Sequence, residues 1–148
     1  MKAVLDNHML WTAMIAWLIA QTLKIPFQFF LHKGWNWGAF FTAGGMPSSH
    51  SALVTSAALG AGLYHGFDSG IFALAVAIAM VVVYDASGVR LQAGIQAQQI
   101  NVLVAELLKG HPINQEHLRE VIGHTPIETI AGVLLGLLVT LGMWLAWG

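Results

Sequence analysis

The chain has 148 residues, 57% of them hydrophobic and only 9% charged, against about 25% charged in an ordinary soluble domain. Thirteen acidic and basic side chains cannot clothe a water-soluble domain of this length, and the mean hydropathy of +0.69 agrees. Composition thus excludes a soluble globular enzyme and a disordered tail. A net charge of −1 offers no basic field for phosphate backbones, so no nucleic-acid partner is expected. The absence of cysteine excludes disulfides, thiolate catalysis and zinc–thiolate sites.

The charges are placed unevenly. Residues 7–23, 34–67, 69–84 and 129–148 carry none, whereas seven of the thirteen fall between Arg90 and Glu128. The pattern is that of apolar blocks plus one polar insert, about 86–124, within a single membrane domain, 1–148.

In chain order, the first block runs from Met9 to about Phe30, long enough for a spanning helix of about 20 residues, with Pro26 as a kink point. Lys2 and an apolar run suggest a leader, but Gln21 and Lys24 follow without a small-residue cleavage site, which favours a retained helix. Ser49–Tyr64 and Ile71–Tyr84 are shorter, with Asp68 as the expected N-cap of the latter. Residues 88–109 have helical propensity, but Gln92, Gln96 and Gln99 form a polar stripe that a lipid-exposed span would not carry. This segment reads as an interfacial or re-entrant amphipathic helix. The last block, Pro126–Trp147, is the cleanest span. Its Gly132-x-x-x-Gly136 permits close helix approach, chiefly within the chain and secondarily in a homodimer. Trp11, Trp144 and Trp147 at one set of helix ends, and Trp35 and Trp37 near the other, suit an interfacial belt. The expected fold is all-α, an integral-membrane bundle of about four spans plus the amphipathic helix.

Three polar segments interrupt the apolar blocks. Gly44-Gly45-Met46-Pro47-Ser48-Ser49-His50-Ser51 places glycines and a proline before a helix, a turn that gathers backbone N–H groups and the positive helix end where a phosphate could sit. Ser48 or Ser49 also serves as N-cap, and His50 lies in the first turn, where a general acid belongs. Asp85 and Arg90 close an apolar helix, either as a mutual pair or with Arg90 as a fork for phosphate oxygens. Thr125-Pro126-x-Glu128 is a capping box, which explains Glu128 without function. Yet His124 and Glu128 are four apart, so a carboxylate could hold one imidazole nitrogen and leave the other nucleophilic.

Taken together, "GGMPSSHSA", "YDASGVR" with "AGIQAQQIN", and "GHTPIE" resemble the divergent branch of the type-2 phosphatidic acid phosphatase superfamily, which includes vanadium-dependent haloperoxidases. The resemblance runs from about Gln21 to Gly136 and implies that family's helical core. Pro47-Ser48-Ser49-His50 matches the Pro-Ser-Gly-His motif with Ser49 for Gly, Arg90 matches the motif Arg, and Lys24 the Lys of the first motif, without its Arg-Pro. The superfamily's nucleophilic His, six residues after the Arg, falls on Gln96 here, with Ile100 where its orienting Asp would stand; His124-x-x-x-Glu128 is the substitute.

The resemblance implies a metal-independent, cofactor-free lipid phosphate phosphatase. Its nucleophile would be His124, its orienter Glu128 and its acid–base His50. Arg90, Lys24, Ser48 and Ser49 would bind phosphate, and Asp85 would support Arg90. For these motifs to meet, the insert must return to the face it left, which gives four spans with both termini away from the site. Lys24, Lys33, Arg90, Lys109 and Arg119 against Lys2 put the site on the cytoplasmic face of a bacterial-type inner membrane. That orientation favours phosphatidylglycerol phosphate as substrate, then phosphatidate; undecaprenyl (di)phosphate cleaved outside would need the reverse. Two other readings stand beside it: a metal-dependent hydrolase using Asp85, Glu128 and a His, and a non-catalytic scaffold or transporter subunit.

Overall fold

The computed structural model describes residues 2–32, 37–41, 44–107 and 124–147. A short helix α1 (Lys2–Leu5) leads into α2 (His8–His32), which starts on Asn7, whose Oδ1 accepts the Leu10 N–H, and runs through Pro26 without ending. A 3₁₀ turn (Trp37–Phe41) precedes α3 (Ser49–His65). Next come α4 (Gly70–Ser87), α5 (Val89–Leu107) and α6 (Pro126–Trp147). No strand occurs among the described residues. The cap of α4 is Ser69, one residue after the expected Asp68, because Ser69 Oγ accepts the Phe72 N–H at 3.2 Å.

Helix α3 stands at the centre, packed against α2, α4 and α6, with α2 and α6 also in contact. Three described helical stretches are long and apolar enough to cross a membrane: His8–Phe30, Gly70–Ala105 and Pro126–Trp147. The remaining expected span, α3, has 17 residues and is about 26 Å long, short of a hydrocarbon core of about 30 Å. It packs against three neighbours, and its first residue, Ser49, is buried.

The core is built from small side chains. Among the described residues every buried hydrophobic side chain apart from Ile25 is alanine, including Ala16, Ala20, Ala52 and Ala61. Large apolar groups such as Phe30, Ile71, Leu74, Met80, Leu134 and Leu138 point outward. This is the arrangement of helices in lipid, where apolar burial gives no net drive and close backbone approach with interhelical hydrogen bonds holds the bundle. Gly132 and Gly136 are where α6 meets α3. A methyl at Gly132 would overlap the Ser48 carbonyl oxygen, and one at Gly136 would come within 2.6 Å of Ala52 O. One turn further, Thr140 Oγ1 donates to Ser56 Oγ at 2.7 Å. The glycine pair thus packs helices within the chain.

The polar insert leaves and returns at one place. Helical bonding continues across Gly88, whose N–H bonds Tyr84 O and whose carbonyl accepts Gln92 N–H, so α5 carries on from α4. From Gly70 to Ala105 this path measures about 54 Å, more than a bilayer core can hold. At the other end of the insert, the His124 N–H donates to Ala86 O at 3.1 Å. The start of α6 is therefore tied to the end of α4.

Candidate active site

Four elements bring polar groups to this end of the bundle: the C-terminal half of α2, the start of α3, the end of α4 and the start of α6. The start of α3 is set by local chemistry. Gly45 takes φ +90°, a left-handed conformation suited to glycine, and a cis Met46–Pro47 peptide follows. Ser48 is the N-cap: its Oγ accepts the Ser51 N–H at 3.3 Å and the Ser51 hydroxyl at 3.0 Å. The Ser48 N–H donates to the Glu128 carbonyl at 3.0 Å, locking the two helix starts together. Ser48 thus serves the framework twice. Ser51, which motif spacing did not single out, belongs to the same buried knot; its signal was a third serine within one turn.

Helix α6 opens on the expected capping box. The Glu128 N–H reaches Thr125 Oγ1 at 3.4 Å, and Glu128 Oε2 accepts the Thr125 N–H at 3.1 Å. The same Oε2 lies 3.2 Å from His124 Nδ1. A carboxylate there fixes the proton on Nδ1 and leaves Nε2 with the lone pair. His124 is 2% exposed, and the His50 ring lies across from it, centroids 6.2 Å apart at 61°.

Lys24, fully buried, reaches from α2 to place Nζ 3.5 Å from Ser49 Oγ. Its ammonium is within Coulombic range of the Glu128 carboxylate. A cation in a membrane-spanning helix is costly and is normally kept for an ion or substrate path. Asp85, half-buried, adjoins Ala86, whose carbonyl anchors His124. Arg90 is the second residue of α5, a turn beyond Asp85; its side chain lies outside the described residues. So do Lys33, Lys109 and Arg119, on which the charge-bias argument drew. The structure therefore gathers Lys24, Ser48, Ser49, His50, His124 and Glu128. Among the described residues no three His, Asp or Glu side chains converge as a metal-ligand group.

Residues 5–139 match the family described as "Divergent PAP2 family". The chain belongs to the divergent PAP2 family. It is similar to the uncharacterized membrane protein YuiD of Bacillus subtilis (strain 168), with 40% identity covering 93% of this chain and 94% of that protein. No solved structure matches. Divergent PAP2 membership covers α2 to α6 and so includes the helix starts that carry His50 and His124. Gln96 and Ile100, the positions that the wider superfamily's motif would give to His and Asp, are exposed on α5, whereas His124 and Glu128 face each other at the start of α6.

Proposed function

We propose that this divergent PAP2 protein is an integral-membrane lipid phosphate phosphatase working through a phosphohistidine. The observation that supports it best is the His124–Glu128 pair set against His50 and Lys24 at one end of the bundle.

In this reading His124 Nε2 attacks phosphorus in line with the ester oxygen. The P–N bond forms as the P–O bond breaks, and protonated His50 gives its proton to the departing alkoxide, releasing the lipid alcohol. Glu128 stabilises the imidazolium through Nδ1–H. Neutral His50 then takes a proton from water, whose oxygen attacks phosphorus; the P–N bond breaks, and inorganic phosphate and free His124 result. Lys24, Arg90 and the Ser49 end of α3 stabilise the equatorial oxygens, where preorganised donors act most strongly. Asp85 orients Arg90. No metal or cofactor takes part in any step. The hydrocarbon tail stays in the bilayer while the phosphate sits at its edge. On the cytoplasmic face, phosphatidylglycerol phosphate is the first substrate proposed, then phosphatidate.

The test is phosphate release by the purified protein from a panel of lipid phosphates. Wild type should turn over at least one, His124→Ala should lose turnover, and vanadate, a mimic of five-coordinate phosphorus, should inhibit. Full activity in His124→Ala would remove the nucleophile assignment.

A further inference from the structure

Two buried polar groups beside the site belong to none of the sequence motifs. Gln21 lies on the inward face of α2, three residues before Lys24, and is 8% exposed; Thr129 follows Glu128 on α6 and is 4% exposed. Among the described residues, neither Gln21 Oε1 nor Thr129 Oγ1 meets a hydrogen-bond partner. Several buried serine and threonine hydroxyls are satisfied: Thr12 by His8 O, Ser51 by Ser48 and Thr140 by Ser56. Tyr64 Oη also meets no partner, but it lies at the opposite end, beside His8. An unmatched oxygen inside a membrane bundle carries a desolvation penalty, and such groups are a mark of ligand paths. Two of them, on two helices and within one turn of Lys24 and Glu128, call for a shared explanation.

Their depth supplies it. Three helical residues span about 4.5 Å, so Gln21 lies about that far from Lys24 toward the middle of the membrane. A phosphate held at Lys24 and Ser49, with its tail in the bilayer, leads its alcohol past this level. We propose that Gln21 and Thr129 form a specificity subsite that hydrogen-bonds an oxygen of the substrate alcohol a few bonds from the phosphate ester. The unmatched Gln21 Oε1 accepts a hydrogen bond, and the Thr129 hydroxyl can donate or accept one. An alcohol with a free hydroxyl, as on an unesterified glycerol carbon, satisfies both by donating to Gln21 Oε1 and accepting from Thr129. A plain hydrocarbon alcohol leaves them unmatched, and sites built to hydrogen-bond a substrate group reject analogues that lack it. The subsite rests on the phosphatase reading for its substrate and on the buried oxygens for its residues.

The experiment uses full-length protein in detergent with two monophosphates, phosphatidylglycerol phosphate, whose head-group glycerol carries a free hydroxyl beside the phosphate ester, and farnesyl phosphate. In wild type, kcat/KM should favour the glycerol lipid. Gln21→Leu and Thr129→Val should each reduce that ratio about tenfold, mainly through KM, and Thr129→Ser should restore it. A ratio unchanged by both variants overturns the subsite and assigns the two residues to packing. Thermal unfolding with each lipid gives a readout independent of turnover. A larger upward shift with the glycerol lipid, lost in both variants, supports the subsite even without phosphate release, a result that would count against the phosphatase reading alone. Equal shifts with both lipids overturn it.

Discussion

Replacing Glu128 by Gln separates two roles that share one oxygen. Glu128 Oε2 accepts the Thr125 N–H at 3.1 Å as part of the helix cap and faces His124 Nδ1 at 3.2 Å. An amide oxygen can still accept the cap bond, so Glu128→Gln should leave thermal stability nearly unchanged. What it removes is the negative charge facing an imidazole that becomes cationic during phosphoryl transfer. A hydrogen bond to a charged group is worth about 1.5–3 kcal/mol net. At about 1.4 kcal/mol per tenfold in rate, kcat should fall about ten- to a hundredfold. Thr125→Ala is the complement. It removes the hydroxyl that receives the Glu128 N–H at 3.4 Å, lowers stability by about 1 kcal/mol, and leaves the His124–Glu128 contact and most activity in place. The assays are thermal unfolding in detergent and initial-rate phosphate release, run on both variants. If Glu128→Gln kept full activity while Thr125→Ala abolished it, Glu128 would be a cap and no more.

Three further outcomes follow from the packing and the topology. Gly132→Ala should push α6 off the Ser48 carbonyl, disturb the Ser48–Glu128 backbone bond, and lower stability by about 1–3 kcal/mol, with a loss of activity beyond that of Gly142→Ala, where a methyl meets nothing within 4 Å. Lys24→Met removes a buried cation from a spanning helix, so the variant should unfold at an equal or higher temperature while KM for a lipid phosphate rises at least tenfold. Because the chain has no cysteine, single-cysteine labelling is unambiguous. Pro112→Cys and Lys2→Cys in sealed vesicles should react with an impermeant reagent from opposite sides, and reaction from the same side would contradict a returning insert.

Much of this architecture can be read from the residues because lipid makes the rules simple. Uncharged blocks must be helices, and Gly132-x-x-x-Gly136 must lie where two of them touch. The Thr125–Glu128 box was equally legible, since capping is local chemistry. The α4 cap was displaced by one residue because Asp68 and Ser69 are adjacent and both suit the position; backbone geometry chose the serine. The bond from His124 to Ala86 is long-range, yet its consequence follows from asking how His50 and His124 could share a face. Gln21 and Thr129 were not legible as site residues. Neither stands in a motif, and the burial of their oxygens without partners emerges only once the helices are packed. Ser48, which motif matching places among the phosphate ligands, has its amide engaged in joining α3 to α6 and its hydroxyl in capping α3.

The central claim is that phosphate passes through His124, and it can be tested by trapping. With an aryl phosphate, whose leaving group needs little protonation, His50→Ala should still form the phosphoenzyme but hydrolyse it slowly. Rapid quenching at alkaline pH followed by mass spectrometry should then find an acid-labile phosphate on the peptide containing His124, and none in the His50→Ala, His124→Ala double variant. Phosphate on another residue, or steady turnover by His124→Ala with no phosphoenzyme in either protein, would contradict the account.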